Sequence, residues 1–313
     1  MLSYNVKILI FTFIVFLLFI LSVVWWIQYK ILFFPSQKFN WYPSFPYRQI
    51  FLNMDSKPVA NLDPVEKFNP TSEVISVWYF NFSNNENSKT ILFCHGNNGN
   101  ISQRKYVIDL CHFLSVNLFL FDYRGYGNST GIPSPDSICQ DGLIAYTYLN
   151  SFCSSENIYV WGESLGGASA VHIASKKPCK RLICMSTFSS LDDIVINKSI
   201  PRWISVPSSL VIKTVCNNLS NRKKITKVKC PIVILHSETD EIIPYQCSQI
   251  LYQSISHSNK IFLTIKGDHS APEITRNQLL ELINFCDFNS NFKETSHFIE
   301  SWLSMLKSNV FNN

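Results

Sequence analysis

Charge is scarce in this chain. Only 16% of its 313 residues are Asp, Glu, Lys or Arg, against 46% hydrophobic residues, which excludes a disordered polypeptide. Glycine is scarcer still, with ten residues in all. The ten cysteines include no C-x-x-C pair and none precedes Cys94, so their spacing gives no sign of a metal or disulfide framework and buried thiols are expected. There is no internal repeat and no low-complexity tract. The net charge of +5 is modest, and its one local cluster, Arg222, Lys223, Lys224, Lys227 and Lys229, reads as a solvated face or, less readily, as a contact with anionic lipid. Nothing resembles a nucleic-acid-binding module.

One long apolar run is present. Ile8 to Ile27 carries no charge and would span about 30 Å as a helix, the thickness of a bilayer's hydrocarbon core. Trp25, Trp26 and Tyr29 would form an interfacial belt, with Lys7 and Lys30 at its ends. A cleaved signal peptide has a shorter apolar region followed by small residues, whereas bulky Trp-Trp-Ile-Gln-Tyr-Lys follows here. Residues 1–30 are therefore expected to be an uncleaved single-pass anchor, with the bilayer as partner. The flanking lysines balance too closely to orient it. Residues 31–46, rich in aromatics and proline, read as a connector lying on the bilayer or against the domain.

The roughly 270 residues that remain suit one domain, 47–313. Tyr47–Leu52 and Val74–Phe80 read as strands. Further apolar strands at Ile91–Cys94, Leu118–Phe121, Ile158–Trp161, Leu182–Met185, Ile232–Leu235 and Ile261–Ile265 alternate with helical stretches at about 101–114, 135–149, 164–174, 244–255, 278–286 and 295–307. Continuous apolar strands alternating with helices predict an α/β fold, a mainly parallel sheet covered on both faces. Nine of the ten glycines fall at or just beyond strand ends; only Gly142 sits inside an expected helix. They shape the rim where such sheets bind ligands.

At that rim, Gly162-Glu163-Ser164-Leu165-Gly166 follows the strand Ile158–Trp161. This is a G-x-S-x-G elbow, in which a sharp strand-to-helix turn exposes a serine oxygen beside free helix N–H groups. A base and an acid are expected downstream, in the order nucleophile, acid, histidine. Of the downstream histidines, His269, in Lys266-Gly267-Asp268-His269-Ser270, stands just beyond the last strand. The acid is sought in Ser237-Glu238-Thr239-Asp240-Glu241: Asp240 is preferred, Glu238 is second, and Asp192 and Asp193 are a more distant alternative, while Glu241 would open the next helix. Ser164, His269 and Asp240 together would perform acyl transfer, which requires no metal or cofactor.

With these motifs, His95-Gly96-Asn97-Asn98-Gly99-Asn100, the Asp122 to Ser129 run and Ile243-Pro244, the chain resembles the α/β-hydrolases from about Leu52 onward. More narrowly it resembles their membrane-tethered, small-capped serine hydrolases, which include proposed lipid esterases and protein depalmitoylases. The resemblance implies an oxyanion hole formed by the backbone N–H groups of Asn97 and Leu165, and a structural rather than catalytic role for Asp122 to Ser129. It also implies a small cap at about 187–229, where Ile200–Pro207 and Leu210–Val215 would line an acyl pocket or pack helices. Two departures stand out: Ser237 replaces a common glycine, and the cysteine-rich N-terminus of the depalmitoylases is absent. The expected function is hydrolysis of an ester or thioester of an apolar acyl chain, on an acylated lipid or acylated protein. A peptidase releasing amino-terminal residues and a catalytically silent scaffold are the alternatives. Sequons at Asn81, Asn100, Asn128, Asn197 and Asn218 leave the face of the membrane open.

Overall fold

The computed structural model of the protein describes residues 4–62, 70–197, 217–288 and 303. The chain begins with helix α1, Tyr4–Leu32. Side chains at 17, 20, 21 and 23–31 are outside the description, and among the described residues no helix is long and apolar enough to cross a membrane. Strand β1 (Phe34–Pro35) follows at once, then β2 (Arg48–Asn53), β3 (Pro58–Leu62) and β4 (Val74–Phe80). Next come β5 (Thr90–Cys94), β6 (Asn98–Gly99), helix α2 (Lys105–Phe113), β7 (Asn117–Phe121) and helix α3 (Pro135–Leu149). The second half contains β8 (Ile158–Glu163), helix α4 (Gly166–Lys176), β9 (Arg181–Met185), β10 (Ile232–Ser237), β11 (Lys260–Asp268) and β12 (Ala271–Glu273).

Ten of these strands form one sheet in the order β12-β11-β10-β9-β8-β5-β7-β4-β2-β3. Its central strands, β7 through β11, run parallel, and β2, β3, β4 and β12 join antiparallel at the two ends. Every residue of β4, β5, β7 and β10 is buried. The reason is that each sheet face has its own core. Leu92, Val160, Leu182 and Ile234 pack on one side with α3 and α4. Ile91, Phe93, Trp161 and Leu235 pack on the other with α2 and the helix Arg276–Phe285. This explains why the central strands read as continuous apolar runs.

Register sets the rim. Cys94 lies opposite Gly162, and Glu163 opposite Met185, so the loops after β5, β8 and β9 leave the sheet side by side. The sole glycine expected inside a helix, Gly142, has a packing reason: a Cβ there would come within 2.1 Å of Ser169 Oγ on α4. The expected helix at 295–307, apart from residue 303, the Ile200–Pro207 and Leu210–Val215 stretches and residues 198–216 of the expected cap lie outside the described residues. The connector, by contrast, lies against the domain. Phe33 is buried in the core, β1 pairs in parallel with β6, and Phe39 and Tyr42 pack against Trp78 at ring separations of 5.5 and 6.1 Å.

Candidate active site

Ser164 occupies the turn between β8 and α4 with φ = +52°, the left-handed region that non-glycine residues seldom adopt. Such a conformation costs on the order of 1–3 kcal/mol and persists only where its surroundings hold it. Three bonds do so here. The Ser164 N–H donates to the Met185 carbonyl (2.9 Å), and its own carbonyl accepts from the Gly167 N–H (3.0 Å) and Thr187 Oγ1 (2.7 Å). The flanking glycines serve close approach: a Cβ on Gly166 would lie 1.9 Å from the Cys94 carbonyl oxygen, and one on Gly162 would lie 2.6 Å from the Gly166 carbonyl oxygen. Only a chain without side chains at these points lets α4 start this near β5.

Tertiary structure brings together the three residues expected to act together. Ser164 Oγ is 2.9 Å from His269 Nε2, and His269 Nδ1 is 2.7 Å from Asp240 Oδ2. Asp240 is almost fully buried, whereas Glu238 is exposed. Asp192 and Asp193 face elsewhere, paired with Arg222 at 3.1 and 3.0 Å. Burial opposes ionisation of Asp240, but hydrogen bonds from His236 and His269 and the Ile243 N–H hold its carboxyl well below the usual range. Its Oδ1 accepts the Ile242 and Ile243 N–H groups at 2.9 and 2.7 Å. Glu241 differs from expectation. The next helix begins only at Tyr245, and Glu241 Oε2 instead accepts the His269 N–H (2.9 Å), steadying the loop that carries the histidine. Ser237, in place of the family's common glycine, has no left-handed φ to satisfy. Its hydroxyl bonds the Gly267 carbonyl and accepts the Thr239 N–H (3.1 Å), tying the acid's turn to the histidine's strand.

A cavity of about 570 Å³ opens over Ser164 and His269. Asn97 lines it, and Leu165 adjoins the serine as a buried residue. Among the described residues, neither the Asn97 nor the Leu165 N–H is bonded to another group of the chain. The Asp122 to Ser129 run braces this loop from behind. Tyr126 Oη donates to the Asn97 carbonyl (2.8 Å), Asp122 Oδ1 accepts the Ile101 N–H (3.0 Å), and Arg124 pairs with Asp141 (2.8 Å).

Several neighbours of the site were invisible to spacing arguments. Glu163, inside the elbow, accepts a hydrogen bond from Tyr106 (2.8 Å) and lies 3.4 Å from buried Arg104. His236, with no exposed surface, donates from Nε2 to the Ile243 carbonyl (2.9 Å) and reaches within 3.3 Å of Asp240 Oδ2. Phe34, from the connector, forms part of the cavity wall. His236 carried one sequence signal, its place at the end of β10, four residues before the acid. Of the nine described cysteines seven are buried and two, Cys179 and Cys230, are partly buried, and among the described residues no group of His, Cys, Asp and Glu has the arrangement of a metal site.

Comparison with known proteins agrees with this architecture. The family model for the alpha/beta hydrolase fold matches residues 89–223. Protein bem46 of Schizosaccharomyces pombe is 32% identical over 198 residues, 61% of this chain and 62% of that protein, so the match leaves more than a third of bem46 uncovered. An uncharacterised membrane protein of Saccharomyces cerevisiae, YNL320W, is 30% identical over 239 residues, 73% of this chain and 81% of the yeast protein. The lysophosphatidylserine lipase ABHD12 of Danio rerio is 27% identical over 186 residues, covering 55% of this chain and 48% of the lipase. Among solved structures, the Pyrococcus furiosus esterase Pf2001 superposes with a TM-score of 0.56 at 18% identity, over 88% of this chain and 97% of the esterase. The chain belongs to the α/β-hydrolase superfamily and resembles its α/β-hydrolase domain-containing esterases.

Proposed function

We propose that this protein is a membrane-anchored serine hydrolase that cleaves an ester or thioester of an apolar acyl chain through an acyl-enzyme intermediate. The observation that carries this reading is the continuous chain Ser164 Oγ, His269 Nε2, His269 Nδ1, Asp240 Oδ2, with separations of 2.9 and 2.7 Å. In this reading Ser164 Oγ attacks the acyl carbonyl while His269 Nε2 takes its proton. Asp240 holds the imidazole in the tautomer with hydrogen on Nδ1 and stabilises the imidazolium. The N–H groups of Asn97 and Leu165 receive the oxyanion, an interaction whose loss costs about 10²- to 10³-fold in rate when one donor is removed. The leaving alcohol or thiol takes the proton from Nε2. Water, deprotonated by the same nitrogen, then attacks the acyl-serine and frees the acid, with no metal or cofactor in the cycle.

The membrane part of the reading rests on the uncharged run Ile8 to Ile27, carried by helix α1, whose described residues alone do not make a membrane-crossing helix. The helix's 29 residues would extend about 44 Å, and Leu9, Phe11, Phe13, Phe16 and Phe19 are each at least 60% exposed. An apolar surface of that size seeks lipid. The lipase among the relatives is in keeping with an acylated lipid as substrate; an acylated protein is the other choice. A peptidase is less favoured, because the two glutamates lining the cavity, Glu163 and Glu241, already accept hydrogen bonds from Tyr106 and the His269 N–H. Labelling of the full chain by a fluorophosphonate probe, with turnover of a panel of acyl esters and thioesters, tests the reading. Both activities should vanish in Ser164→Ala. Undiminished labelling in that variant overturns the nucleophile assignment, and turnover of aminoacyl amides in preference to acyl esters overturns the substrate class.

A further inference from the structure

The connector after α1 is stitched to the loop that carries Asn97. The Phe34 N–H donates to the Asn97 carbonyl (3.0 Å) and the Ser36 N–H to the Gly99 carbonyl (3.1 Å). In return, Asn100 Nδ2 donates to the carbonyls of Ser36 (3.0 Å) and Lys38 (2.9 Å), and Ser102 Oγ accepts the Asn40 N–H (3.1 Å). Phe33 anchors the strap, only 3% exposed, while the neighbouring Phe34 is 49% exposed and faces the cavity over Ser164. Two residues after the end of α1, the chain is already a wall of the site.

From this we infer that Phe34–Ser36 is a positioning strap: its backbone holds the Asn97 loop in place, and the Phe34 ring selects for a long apolar acyl chain. The inference rests on the hydrolase reading and adds to it a physical link between anchor and active site. The Asn97 carbonyl takes two donors, Phe34 N–H and Tyr126 Oη, which fix the peptide plane next to the Asn97 N–H. An oxyanion donor works only when already aimed at the developing charge, and displacement by about 1 Å is enough to cost around 10²-fold. Tyr126 and Asp122 brace the Asn97 loop from behind, and the strap adds its own backbone bonds to it. With Phe34 half exposed at the cavity and α1 directly before it, an acyl chain drawn from the bilayer meets this ring on its way to Ser164.

Ser36→Pro removes the N–H that bonds Gly99, and with it the exposed hydroxyl that bonds Lys38, while leaving the cavity side chains unchanged. In full-length protein in detergent, it should lower kcat on a short acyl ester and the rate of fluorophosphonate labelling by about 10²-fold, with the urea unfolding midpoint near that of the wild type. Phe34→Ala should reduce the kcat/KM ratio of a decanoyl over an acetyl ester by about 10-fold, and Phe34→Leu should restore most of it. Wild-type labelling by Ser36→Pro, or an unchanged chain-length ratio in Phe34→Ala, overturns the inference. If Ser36→Pro does not fold, the Phe34 ratios alone decide it. Ser164→Ala is run beside them: if it loses labelling while the strap variants behave as wild type, only the strap role falls, and if it keeps labelling both readings fall.

Discussion

His236 Nε2 stands 3.3 Å from Asp240 Oδ2, the same oxygen that accepts the His269 Nδ1–H at 2.7 Å. A buried carboxylate here has two imidazoles and two backbone N–H groups around it, which offsets the desolvation that would otherwise protonate it. His236 is itself held by the Ile243 carbonyl and by Ser248 Oγ. In the proposed mechanism it is a positioning residue acting through Asp240.

His236→Ala should lower kcat between about 10- and 10²-fold with little change in KM, because it loosens the acid without touching the cavity. It should also alter the pH dependence of stability. Asp240 has a folded-state pKa below its unfolded value, so it contributes stability that is present above about pH 3.8 and is lost as pH falls through the folded value. Removing His236 moves the folded value back toward 3.8, so the variant should be destabilised at pH 7 and differ less from wild type near pH 3. Urea titrations at both pH values measure this.

Asp240→Asn keeps the shape of the acid but favours the wrong tautomer of His269. Its kcat should fall by about 10⁴-fold, while the urea midpoint shows the fold to be intact. A loss of less than about 10-fold would mean that another carboxylate orients the histidine.

Asp122 offers a test with the opposite sign. Burial raises its carboxyl from 3.8 to about 8, opposed by the Ile101 N–H and Arg104. Between those values the folded protein keeps a proton that the unfolded chain has released, so stability falls as pH rises from about 4 to 8 and the penalty is constant above. Asp122→Asn retains the acceptor for Ile101 and cannot ionise. It should match wild type near pH 4 and exceed it at pH 9, as read by thermal unfolding across that range.

Gly166→Ala places a methyl group 1.9 Å from the Cys94 carbonyl oxygen and 2.5 Å from the His95 carbonyl oxygen, and backbone atoms cannot give way by a rotamer change. A loss of about 3 kcal/mol or more is expected. Thermal unfolding measures it, and a midpoint within a degree or two of wild type would refute the packing argument.

Glycosylation can be judged from burial at one sequon. Asn100 has no exposed surface and its amide nitrogen is committed to the Ser36 and Lys38 carbonyls, so a glycan there is incompatible with the fold. Asn81, Asn128 and Asn218 are exposed.

Sequence alone determined the class of fold and the identities of Ser164, Asp240 and His269 as the residues to look for. Both are written in local chemistry: strands buried on two faces must be apolar throughout, and an elbow needs glycines around its serine. Strand ends also bring chemical residues to one rim wherever the sheet is parallel. Tertiary structure alone decided what depends on contacts distant in sequence. The connector looked separable because its aromatics and prolines suit either lipid or a protein surface, and only pairing with residues 97–102 made it part of the domain. Glu241 changed role, and His236 gained one, for the same reason. A histidine ending a strand and a glutamate before a helix have no partners until the chain folds back, and the distances to Asp240 and His269 then assign them.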